Sequence, residues 1–209
     1  NMALSKILEN INLKHKHLFI MCGNLDNSQT VWNFLIEFIE NLTKQFDLQE
    51  FDTIVNVCPH DSIESLKKLK KLGIKQVQYN LEIANKELFT YTCPGKVFYE
   101  DFINKLYEAV NIFGKGNVRS NFVLGLQDFN ELITECEKFA QKGIVADYSV
   151  FQPKKNTPFE NVKSPEMEDI IKFTIQLVEI YIKYNQRPIF CSLSSRSSIV
   201  NEVYNDNVK

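Results

Sequence analysis

The sequence predicts an α/β fold: a partial (open) parallel β/α barrel of the TIM type, with about six strands. Three observations lead there. Short β-branched runs alternate along the chain with longer segments of helical periodicity. The stretch from Gln76 to Asp128 holds a complete β-α-β unit, in which apolar runs at 77–81 and 118–126 bracket one strongly periodic helix. Polar groups stand at nearly every strand end, whereas a doubly wound sheet concentrates its site at one switch point.

Taken in order, Leu4, Ile7, Leu8 and Ile11 give an opening helix, and residues 17–22 (HLFIMC) the first strand, stopped by Gly23-Asn24. Val31, Leu35, Phe38, Ile39 and Leu42 line the next helix, with Trp32 and Phe34 widening its stripe. Residues 51–58 (FDTIVNVC) form the second strand. Asp61 and Glu64 have capping-box spacing, and Ile63, Leu66, Leu69 and Leu72 carry the helix that Gly73 closes. In the central unit the helix stripe is Phe102, Ile103, Leu106, Ala109, Val110 and Phe113 before Gly114. Asp128 and Glu131 cap a helix that ends at Gly143. A strand at 147–152 runs into the loop 153–165, where Ser164-Pro165 reads as N-cap and first turn of a helix reaching about Tyr184. A last short strand at 188–192 and a terminal helix bearing Ile199, Val200, Val203 and Tyr204 complete the chain.

The 209 residues, 44% apolar and 24% charged, suit a single domain over 1–209 with one core. A formal charge of -2 with interspersed signs gives no case for nucleic acid or an anionic membrane, and the lysines at 67, 68, 70 and 71 read as a solvated helix face. Cys22, Cys58, Cys93, Cys136 and Cys191 are odd in number and contain no CxxC pair, which is the usage of a reducing compartment. No run reaches the ~18 apolar residues of a membrane span, so the expected setting is cytoplasmic, with a small molecule as partner.

Gly114 and Gly116 precede a strand, where a phosphate cradle would follow one. His60 falls at the mouth after the second strand, and the serines at 192, 194, 195, 197 and 198 lack a GxSxG setting. Asn80 and Glu82 are two apart and share a face. A carboxylate beside an amide can grip a vicinal diol, the carboxylate accepting from the hydroxyls and the amide donating to one. Asn121 and Gly125 place an amide and a glycine on the fourth of the predicted strands, where glycine marks either close approach or a bend.

From Ile74 to Ser198 the order of these features resembles the radical S-adenosylmethionine enzymes, and among them the branch around biotin synthase. NLE at 80–82 resembles that family's Asn-Leu-Asp, which implies that Asn80 and Glu82 hold the ribose of S-adenosylmethionine. VRSNFVLGLQD resembles the Gly-x-Ile-x-Gly-x-x-Glu motif beside the adenine, implying contacts from Asn121 and Gly125, with Gln127 in the place of the Glu. VFQPKKNTPFE resembles the Gly-Thr-Pro loop, with Asn156 for its glycine. MCGN at 21–24 stands where relatives carry Gly-Gly-Glu for the methionine amine, implying roles for Gly23 and Asn24, and Ser149 lies near a substrate-binding position.

The resemblance further implies a [4Fe-4S] cluster held by a Cys-x3-Cys-x2-Cys loop, whose electron breaks the sulfonium S–C5′ bond to give a hydrogen-abstracting radical. No such cysteine spacing occurs here. The expectation is therefore a truncated enzyme core, inactive alone, whose first strand and cluster loop lie upstream, with self-association through the open barrel edge. Two alternatives stand beside it: a degenerate binding or scaffold module, and a cluster-free barrel lyase or aldolase using Glu82 and Asp128.

Overall fold

The computed structural model describes Lys6 and residues 17–23, 27–189 and 198–207. Among them five strands form one parallel sheet, β1 (His17–Met21), β2 (Asp52–Asn56), β3 (Gln76–Gln78), β4 (Val118–Leu124) and β5 (Ile144–Val150). The spatial order is β1-β2-β3-β4-β5, so each strand lies beside its sequence neighbour. A doubly wound sheet would reverse direction somewhere; this one winds one way and is not closed, which is the open barrel expected. The sixth expected strand, at 188–192, and the opening helix fall mostly outside the described residues.

The helices follow from apolar spacing of three and four. They are α1 (Ser28–Thr43), α2 (Ile63–Lys71), α3 (Lys86–Thr92), α4 (Tyr99–Phe113), α5 (Phe129–Lys142), α6 (Met167–Lys183) and α7 (Val200–Asn207). Their inner stripes, among them Trp32, Leu35 and Ile39 of α1, Phe102 and Leu106 of α4, and Phe173 and Leu177 of α6, belong to one continuous core. The strands supply that core from one face: Val55, Val77, Phe122 and Tyr148 are all buried there. Successive strand residues point to opposite faces, so Asn56, Gln78, Asn121, Asp147 and Ser149 occupy the other, concave face. Trp32 is fully buried, and its Nε1 donates to the Cys58 carbonyl at 3.1 Å, tying α1 to the end of β2.

Local chemistry corrects some of the predicted boundaries. The cap of α2 is Ser62, whose side chain accepts from the Ser65 amide, and not Asp61, one carboxylate oxygen of which is buried without a partner among the described residues. Helix α6 starts at Met167 with Glu166 as its N-cap, two residues after the expected Ser164-Pro165 start. Helix α3 was not expected; Asn85 caps it by accepting from the Leu88 amide. Asp128 caps α5 as expected, accepting from the amides of Asn130 and Glu131 at 2.9 and 3.0 Å. The lysine-bearing face of α2 is exposed. At the end of α5, Gly143 takes a left-handed φ of 87°, and a Cβ there would stand 2.5 Å from Lys115 Cγ, so only glycine closes this turn.

Candidate active site

The site is built where β3 leaves the sheet. β3 holds register with β4 over only Val77↔Val118 and Gln78↔Arg119. Beyond it the ladder lapses, the Leu81 N–H donating to the Ser120 hydroxyl at 3.1 Å instead of to a carbonyl, and strand pairing resumes at a bridge between Glu82 and Phe122. Glu82 makes that return in a left-handed conformation, φ 71°, its N–H donating to the Asn121 carbonyl at 2.9 Å and its carbonyl accepting from Val123 N–H at 2.7 Å. The detour aims the Asn80 and Glu82 side chains into one cleft of about 350 Å³ at the strand ends, lined also by Met21, Cys22, Asn56, Cys58 and Lys96.

Lys96, in the loop before α4, sets the electrostatics of this cleft. Its Nζ lies 3.3 Å from Glu82 Oε1 and donates as well to the Asn80 carbonyl; the two side chains are 16% and 29% exposed, so the pair is shielded but not dry. The Asn80 carboxamide oxygen accepts from Gln78 Nε2 at 2.8 Å, which leaves its NH2 to donate. The loop that carries Glu82 is held from below by Gln127, whose Oε1 accepts from the amides of Ala84 and Asn85 at 2.9 and 3.2 Å, while its buried Nε2 has no partner among the described residues.

A second, smaller recess of about 160 Å³ adjoins the first, sharing Met21, Asn56 and Asn80, and runs over the concave face between β3 and β5. Asn121 and Ser149 line it, the Ser149 hydroxyl donating to Asn121 Oδ1 at 3.2 Å. Below them Arg119 makes a two-pronged ion pair with Asp147, at 2.7 and 3.0 Å, and Tyr181 donates to the same carboxylate. This pairing neutralises the one full charge that Asp147 would present to the recess.

The sequence-predicted residues therefore divide. Asn80 and Glu82 share the larger cleft, while Asn121 and Ser149 share the recess beside it. Gly125 lines neither. Its φ of 109° and a would-be Cβ 2.7 Å from Pro165 Cδ show that the glycine lets the loop after β5 close onto β4. Gly23 has open space around it, and Asn24 lies outside the described residues. His60 is on the helix side, 1% exposed, with Nε2 2.9 Å from Glu108 and Nδ1 3.3 Å from the Tyr79 hydroxyl; it lines neither cleft. Asp128, spent as a helix cap, does not meet Glu82 at either cleft, which removes the carboxylate pair a lyase reading needs. Sequence reasoning missed Lys96, Asn56 and Gln78. The polar alternation Gln76, Gln78, Asn80 was a usable signal for the last; nothing in the spacing tied Lys96 to Glu82.

Metal chemistry is constrained by the thiols. Cys22 and Cys58 both line the larger cleft, and burial pushes each thiol above its usual range, with mutual repulsion adding to the effect at Cys58. No group of three His, Cys, Asp or Glu side chains able to hold a metal occurs among the described residues. Cys191 lies outside the described residues. Among the same residues no helix is long and apolar enough to cross a membrane.

No family model matches the chain. Over 144 residues it is 26% identical to the bacteriochlorophyllide c C-7(1)-hydroxylase of Chlorobaculum limnaeum, an alignment covering 67% of this chain and 36% of that protein. Among solved structures it resembles HydG, a maturase of the [FeFe]-hydrogenase, with a TM-score of 0.60 and 18% identity over 86% of this chain and 41% of HydG. The chain thus spans well under half the length of either protein. The similarity to the hydroxylase supports the resemblance to the radical S-adenosylmethionine superfamily that the motif order carries, and the likeness to HydG shows a shared open parallel β/α barrel fold.

Proposed function

We propose that these 209 residues are the S-adenosylmethionine-binding core of a radical enzyme, with Asn80 and Glu82 holding the ribose of the cofactor. The observation that carries this reading is their convergence on one cleft, the Glu82 carboxylate still partly open to solvent and the Asn80 NH2 left to donate. The two ribose hydroxyls donate to Glu82, and the Asn80 amide donates to one hydroxyl oxygen; a charge-assisted contact of this kind is about twice as strong as a neutral one. When bound, S-adenosylmethionine supplies a sulfonium carbon–sulfur bond open to one-electron cleavage. On this reading the residues present orient the sugar and shield it under the 93–97 turn.

A bacteriochlorophyllide, the substrate in the hydroxylase's name, is not carried over. The recess on the concave face, about 160 Å³ and lined by Phe19, Met21 and Ile189 as well as by amides, is too small for a large macrocycle. Calorimetric titration with S-adenosylmethionine tests the assignment. The wild-type chain should bind, and Glu82→Ala should lose at least ~10-fold in affinity, the equivalent of about 1.4 kcal/mol. Equal binding by both, or by neither, overturns the ribose assignment.

A further inference from the structure

Helix α6 carries more apolar surface than the core can use. Ile170, Phe173, Leu177, Val178 and Tyr181 are buried in that core. Beside them Met167, Ile171, Ile175 and Ile182 stay between 41% and 65% exposed, and among the described residues no other helix leaves more than one large apolar side chain in water. At ~100° per residue these four positions fall within an arc of about 80°, one continuous stripe along the outer side of the helix. A row of charges, Glu168, Lys172, Glu179 and Lys183, runs along its flank. Glu168 and Lys172 pair with each other at 2.8 Å and Lys183 pairs with Glu137 of α5 at 2.5 Å, whereas Glu179 has no ion pair among the described residues.

We propose that this face of α6 is the contact surface of a homodimer, on which α6 of a second copy of the chain packs antiparallel about a two-fold axis at Ile175. Such an axis places residues equally far before and after Ile175 side by side, with like flank against like flank. Met167, eight residues before, then falls beside Ile182 of the second copy, seven after, an offset of about 1.5 Å along the axis. Ile171 drops into the gap that Val178, turned into the core, leaves between Ile175 and Ile182 of the second copy. On the flank Lys172 meets Glu179 of the second copy and Glu168 meets Lys183, each twice by symmetry, so Glu179 gains the cation it lacks. A parallel pair would turn the two charged rows to opposite sides and leave Glu179 alone. A single helix pair about 25 Å long is a smaller contact than the ~800 Å² per partner of a standard interface, so the dimer is weak, with a dissociation constant on the order of 10 µM.

Sedimentation equilibrium of the whole chain from about 2 to about 200 µM reads this directly and should show a reversible monomer–dimer equilibrium. Ile175→Glu sets two carboxylates against each other on the axis; it should weaken association at least ~50-fold while the circular dichroism spectrum stays unchanged. Lys172→Glu and Glu179→Lys should each weaken the dimer severalfold, and the double reversal should restore it. The two positions are about two turns apart on one helix, so that rescue has to pass between copies. A strict monomer at the highest concentration, a dimer that survives Ile175→Glu, or charge reversals without rescue overturns the proposal. So does a chain that stays monomeric and pellets with phosphatidylcholine vesicles unless Ile175 is replaced by Glu, which would assign the stripe to a lipid surface.

Discussion

Lys96 and Glu82 face each other across the mouth of the larger cleft at 3.3 Å, with the lysine also anchored on the Asn80 carbonyl. The cation therefore sits on the carboxylate that is proposed to receive the ribose. An incoming diol competes with it for Oε1 and adds a sulfonium charge to the same neighbourhood. Lys96→Met should accordingly tighten S-adenosylmethionine binding severalfold, by up to about 1 kcal/mol for a partly exposed pair, and flatten its salt dependence. Calorimetry at two ionic strengths checks this; weaker binding in the variant would show that Lys96 positions Glu82 instead of blocking it.

The left-handed backbone at Glu82 separates stability from binding. A non-glycine residue there costs roughly 1 kcal/mol, and hydrogen bonds to the Asn121 carbonyl and from the Val123 amide on β4 hold it in place. Glu82→Gly should raise the free energy of unfolding by about that amount while abolishing cofactor binding. Glu82→Ala should abolish binding with no such gain. Urea denaturation of the two variants side by side decides it.

Gln127 spends one side-chain atom well and wastes the other. Its oxygen accepts from two backbone amides, and its buried nitrogen finds no acceptor among the described residues. A carboxylate would keep both acceptor bonds and strengthen them by charge, but it would bury a charged oxygen without a donor where the nitrogen now stands. Gln127→Glu should therefore destabilise the fold near neutral pH by about 1–3 kcal/mol, read as a lower urea midpoint at constant slope.

His60 gives a pH signature. Burial first, and the Lys105 cation second, hold its pKa below the usual histidine value, although Glu108 pulls the other way. The neutral ring is the native form, so in the window between its depressed folded value and the ordinary ~6.5 the unfolded chain binds the extra proton. The contribution to stability is complete above ~6.5 and is lost as the pH falls toward the folded value. His60→Gln should show a shallower loss of stability on acidification than wild type across that interval, measured by denaturant midpoints.

How far the sequence reveals this molecule depends on the range of the interaction concerned. The alternation of apolar runs at 77–81 and 118–126 with a 3.6-period helix is local, and it yielded the parallel winding and the shared cleft of Asn80 and Glu82. The capping of α2 was misread because Asp61 and Ser62 are adjacent and equally able to cap; only the fold shows that Ser62 reaches the Ser65 amide. Gly125 looked like room for a ligand because a mid-strand glycine reports close approach without saying of what, and the neighbour is Pro165, 40 positions away. His60 sits after a strand in the expected place, yet it is aimed at α4 because Glu108 and Tyr79 are there to receive it. Lys96 was invisible for the same reason: its partner lies across a loop whose course no periodicity encodes.

The parting of β3 from β4 has a mechanical outcome. Between Gln78 and Glu82 the ladder that stiffens a parallel sheet is interrupted, while β4 and β5 stay zipped over seven residues from Val118↔Ile144 to Leu124↔Val150. Among the described residues the larger cleft takes its whole lining from the β1–β3 side of this seam, and it is the smaller recess, with Gln78 and Asn80 on one bank and Asn121 and Ser149 on the other, that spans it. Small rocking across the seam would open or pinch that recess while leaving every helix intact.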